Sequence, residues 1–99
     1  VQQRVLTAYV LQHLAAVAAL ENYPSPRKRK EMRERAAMLL GFVNARLAAL
    51  EAEREYTERQ EYERIVPVLR ETLGDRYEEL VAVGAEWNED GAVAVALES

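Results

Sequence analysis

The chain has no cysteine. Disulfides, thiolate nucleophiles and cysteine-ligated zinc are therefore excluded, and the absence is compatible with a reducing cytoplasm. Only one histidine is present. A transition-metal site would have to combine His13 with carboxylates alone, a weak constellation. The two serines, Ser25 and Ser99, fall in a turn and at the terminus. No GxSxG, HExxH, EF-hand or glycine-rich phosphate loop occurs. Long apolar runs are also missing, since none approaches the ~20 residues that cross a bilayer. Ala15–Leu20 is short and lacks the basic flank and cleavage site of a signal peptide. The expectation is a chain without catalytic residues, metal, cofactor or membrane span.

What is present is helical. Apolar residues make up 49% of the 99 positions and charged residues 30%, a globular rather than a disordered balance. Ninety-nine residues fit one domain, 1–99. The chain opens at Val1 in mid-pattern and without an initiator Met, so it reads as a piece cut from the C-terminal end of a longer protein.

Residues 4–21 place Leu6, Val10, Leu14, Val17 and Leu20 at three- and four-residue spacing, which predicts a helix with that stripe toward the core. The prolines of Tyr23-Pro24-Ser25-Pro26 end it. A second helix over 29–51, starting near Ser25 with Pro26 in its first turn, carries Met32, Ala36, Leu39, Leu40, Val43, Leu47 and Leu50. Gly41 in its middle reads as a site of close helix approach. So short a connector makes the two helices an antiparallel hairpin.

Thr57 to Gln60 reads as a capping box opening a third helix, with a kink at Pro67. Gly74-Asp75, with Glu78 three residues on, reads as a stop and a second box. A short fourth helix follows, and a fifth spans Val93–Leu97 after a cap at Asn88. The alternation in AVAVAL also fits a strand, but no partner strand exists. The fold class is all-α: a hairpin of two long helices followed by three shorter ones, with Trp87 anchoring the C-terminal helices on the hairpin.

Residues 27–35 carry six basic and two acidic groups, while 71–99 carry eight acidic groups and one arginine. Arg27, Lys28, Arg29 and Lys30 are the candidate contacts for an anion or a partner. Aromatic interleaving is absent, and the acidic second half would repel phosphates. Cations at a helix N-terminus also gain nothing from its dipole. The run reads mainly as a solvated loop and helix start. His13 reads as a boundary packing residue, and Glu51, Glu53, Glu55, Glu58, Glu61 and Glu63, interleaved with Arg54, Arg59 and Arg64, as a solvated face.

One further pattern is more specific. ERAAMLLG contributes Ala36, Ala37, Leu39, Leu40 and Gly41. EYERIVPVLRETLG contributes Glu61, Tyr62, Glu63, Arg64, Leu69, Arg70, Leu73 and Gly74. The tail adds Gly84, Trp87, Asp90, Ala92, Val93, Ala96 and Leu97. Residues 33–98 thereby resemble the C-terminal end of the tetratricopeptide-like helical region in large bacterial ATPase-type regulators, of the LuxR/MalT-like and adenylate-cyclase-like families. Pro67 and the longer proline-rich connector depart from that pattern.

The resemblance implies a non-catalytic, cytoplasmic, helical interaction or structural domain of a bacterial signalling or transcriptional regulator. Its partner would be a protein or another domain of the parent chain, with self-association left open. The alternative is a small nucleic-acid binder using residues 27–35.

Overall fold

A computed structural model describes residues 2–98; Val1 and Ser99 lie outside the described residues. Five helices follow one another: α1 (Gln2–Leu20), α2 (Pro26–Ala49), α3 (Tyr56–Leu73), α4 (Arg76–Ala85) and α5 (Glu89–Leu97). No strand occurs among the described residues, and AVAVAL lies within α5. The expected division into two long and three shorter helices needs one change. With 18 residues α3 nearly equals the 19 of α1, and Pro67 lies inside it as expected.

The Ser25 hydroxyl accepts the N–H of Lys28 at 3.3 Å, and Pro26 occupies the first turn of α2, where a missing N–H is harmless. At its other end the N–H groups of Glu51 and Ala52 donate to the carbonyls of Ala48 and Leu47, at 3.1 and 2.9 Å. Glu51 has φ 53°. This is a Schellman stop with a glutamate where glycine is usual. At one end of the α1–α2 pair Arg33 Nε donates to the Ala19 carbonyl at 3.3 Å. At the other, the Tyr9 hydroxyl donates to the Glu53 carbonyl just past α2, at 2.9 Å. The two helices are therefore antiparallel.

Both expected capping boxes are corrected. Thr57 is inside α3, whose N-cap is Glu55 with no side-chain cap. The Glu55 N–H donates instead to the Tyr9 hydroxyl, 3.3 Å away. Asp75 is itself helical, with φ −62° and ψ −22°, so its carboxylate does not fold back on the first turn. Glu78 pairs with Arg70 at 3.2 Å rather than closing a box. The Asn88 cap holds, its Oδ1 accepting the Gly91 N–H at 2.7 Å.

Leu39, Leu40 and Val43 of α2 meet Ile65 and Leu69 of α3 in a single core that also takes Leu11 of α1 and Ala92 of α5. Tyr77 is buried beside them, and desolvation, aided by Tyr62, pushes its phenol up to about 12, so the ring stays neutral. Trp87 is only half-buried. It packs against the core and borders a shallow depression with Phe42, Arg46 and Ala85. Ile65 and Leu69 of α3 are wholly buried, each worth ~1.5–3 kcal/mol of burial.

The α2–α4 crossing is the tightest contact. A Cβ placed on Gly41 would stand 1.9 Å from the Val81 carbonyl oxygen, and one on Gly84 would stand 1.7 Å from that of Met38. The expected close approach at Gly41 is thus present, and reciprocal. Helix propensity alone would make Gly84→Ala stabilising by ~1 kcal/mol. Because the added methyl meets backbone, the substitution should instead destabilise by ~1–3 kcal/mol or more in chemical denaturation. A midpoint equal to or above wild type would contradict the crossing.

Candidate functional site

The stripe Leu6, Val10, Val17 and Leu20, read from sequence as core-facing, is exposed: 52%, 57%, 45% and 43%, respectively. Leu14 is half-buried. The buried face of α1 is the opposite one, Ala8, Leu11, Gln12, Ala15, Ala18 and Ala19. Alanines let the neighbouring helices approach closely, which leaves the larger aliphatics pointing outward. From Val5 to Leu20 no Asp, Glu, Lys or Arg occurs. A helix apolar on every side is ordinarily covered on every side. Here one side is open.

The first turns of α3 wall that open side. Leu6, Val10 and Leu14 face Thr57 and Glu58 across a groove of ≈ 580 Å³. A second depression of ≈ 270 Å³ continues it past Val17 and Leu20 to Glu21 and Arg64. His13 and Glu61 border both. His13 Nδ1 lies 2.9 Å from Glu61 Oε2, with the histidine side chain 68% exposed and the glutamate 14%. The histidine is therefore an outward groove residue rather than a boundary packing one. Glu61 departs from the solvated face assigned to it, because α3 turns it against α1.

Beneath the groove lies a polar cluster. Gln12 is wholly buried, and its Nε2 donates to the Glu58 carbonyl at 2.8 Å and to Glu61 Oε1 at 3.1 Å. Arg54, in the linker between α2 and α3, donates through Nε to Gln12 Oε1 and through Nη2 to Asn44 Oδ1, 2.7 Å away. Its guanidinium stacks 3.8 Å above the Tyr62 ring centroid. Desolvation lowers the Arg54 pKa from its ordinary value, opposed by the neighbouring tyrosines. Arg54, read as one more solvated charge, in fact ties the linker to three helices. Among the described residues no buried side-chain polar atom lacks a hydrogen-bond partner.

The basic run is largely engaged in structure. Arg29 Nη1 donates to the Tyr23 carbonyl, and Arg33 donates both to Ala19 O and to Thr72 Oγ1, the latter at 3.1 Å. Arg35 Nη1 donates to the Glu98 carbonyl at 2.8 Å. Arg33 thus lies at the C-terminal end of α1, Arg29 at the connector after it and Arg35 at the end of α5, where cations stabilise unsatisfied carbonyls. That is the structural reason sequence reasoning did not find. Arg27 is paired with Glu31 at 3.5 Å but its side chain is 91% exposed, and Lys30 is exposed as well. Lys28 is half-buried. Of the four candidate contacts, Arg27 and Lys30 are thus the exposed ones and Lys28 and Arg29 the half-buried ones.

No group of three or more His, Cys, Asp or Glu side chains is arranged to hold a metal ion among the described residues. No described helix is long and apolar enough to cross a membrane.

Truncating the centre of the polar cluster tests it. Arg54→Ala leaves Gln12 Oε1 and Asn44 Oδ1 without their donor, and should cost ~1–3 kcal/mol in urea denaturation. Arg54→Lys keeps the charge but loses the planar fork, so it should fall nearly as far. Both variants within ~0.5 kcal/mol of wild type would show the cluster to be a solvated surface feature.

No family model, curated protein or solved structure matches this chain.

Proposed function

We propose that this chain is a non-catalytic helical interaction domain, of the tetratricopeptide-like kind, from a cytoplasmic bacterial signalling or transcriptional regulator. The observation that supports this reading is the outward face of α1, four aliphatic side chains half-exposed on a helix with no charge between Val5 and Leu20. Apolar anchors at this spacing suit the docking of another helix. Of the polar groups in the groove, His13 and Glu61 are engaged with each other. The regulator context rests on the resemblance of residues 33–98 described above.

The nucleic-acid alternative draws on Arg27 and Lys30, whose side chains are exposed. It is the weaker reading, because Arg29, Arg33 and Arg35 are committed to backbone carbonyls.

Affinity capture from bacterial extract separates the two. The tagged wild-type chain should retain a protein that Val10→Glu/Val17→Glu does not. Replacing Arg27, Lys28 and Lys30 by Gln should leave capture unchanged. A tight, salt-sensitive DNA complex lost in the Gln variant would overturn the proposal in favour of the alternative.

A further inference from the structure

From Leu6 onward the exposed positions of α1 advance by alternating steps of four and three: Leu6, Val10, His13, Val17, Leu20. Their mean period is 3.5, the repeat that keeps a seam facing a partner helix over its whole length. The pattern is also nearly palindromic. Leu6 and Leu20 are equidistant from position 13, and Val10 and Val17 from the midpoint between 13 and 14. A two-fold axis beside His13 and Leu14 would therefore set leucine against leucine and valine against valine, from the same patch on both copies.

The charges that bracket the stripe select the direction. Arg4 stands before it and Glu21 after it, and neither has an ion-pair partner among the described residues. An antiparallel pair brings each Arg4 to the Glu21 of the other copy. A parallel pair would oppose Arg4 to Arg4 and Glu21 to Glu21. No further charge on α1 between these ends resists the approach of a second α1.

We propose that the occupant of this face is a second copy of the chain, docked antiparallel through α1 about a two-fold axis near His13. The proposal rests on the reading of the α1 face as a docking surface, and names its partner.

Because the chain has no cysteine, introduced cysteines report the geometry directly. In the antiparallel pair position 10 of one copy lies opposite position 17 of the other. The two copies of position 10 are then seven residues apart along the axis, ~10 Å, beyond the ~7 Å that a disulfide spans. Light scattering on the 99-residue chain should give about twice its 11.3 kDa. Val10→Glu/Val17→Glu should give the monomer mass with an unchanged helical spectrum. Mixed Val10→Cys and Val17→Cys chains should cross-link under oxidation, and Val10→Cys alone should not.

Cross-linking of Val10→Cys with itself would mean a parallel pair and would overturn the proposal. So would a monomer at concentrations up to about 1 mM. If that monomer still captures a protein that the double-Glu variant loses, only the choice of occupant fails. If capture is equally unaffected, the docking reading fails with it.

Discussion

Two glycines set the arrangement from which the rest of the molecule follows. Gly41 and Gly84 bring α2 and α4 together until each presses on the other's backbone, at Val81 and Met38. No side chain fits between them, so α4 has one seat on α2. The turn at Gly74, with φ 55°, returns the chain from α3 into α4, so seating α4 also places α3. Ile65, Leu69 and Leu73 complete the core from there. With α3 fixed, its first turns come alongside α1 and become the wall of the groove.

The opposite end of that wall is held by polar contacts. Tyr9, Gln12 and Arg54 fasten the linker after α2 to α1 and to the start of α3. A buried cluster of this kind is sensitive to the loss of any member, because the remaining partners are left unsatisfied in a poor solvent. It sets Glu58 and Glu61 along the groove wall and turns Glu61 to His13. The aliphatic face of α1 is thus presented on a frame of packed and hydrogen-bonded helices. Such a frame suits recognition, since little ordering entropy remains to be lost when a partner arrives.

The five helices were legible in sequence because prolines, glycines and strong periodicity punctuate them. Gly41 was legible too, as a glycine retained in a helix where alanine would serve better. The outward direction of α1 was not. Its two faces are both apolar, one of alanines and one of larger aliphatics, and periodicity cannot choose between them. Tertiary contact chose the alanine side, since small residues permit the closer approach. The cap site Thr57 failed for another reason. Tyr9, 46 residues from Glu55, supplied a long-range partner that local pattern cannot reveal, while Asp75 takes up helical φ and ψ itself. Arg54 and Glu61 carried no signal that set them apart from the solvated charges around them.

The orientation of α1 is the point on which the functional account turns, and paired substitutions measure it. Val10→Glu/Val17→Glu puts charge on the open face, while Leu11→Glu/Ala15→Glu puts it into the core, where unpaired charge is strongly disfavoured. Thermal denaturation followed by circular dichroism, at a concentration low enough to keep the chain monomeric, should show the first pair folded near the wild-type midpoint and the second unfolded. The reverse order would mean that the aliphatic stripe faces inward, and the docking surface would not exist.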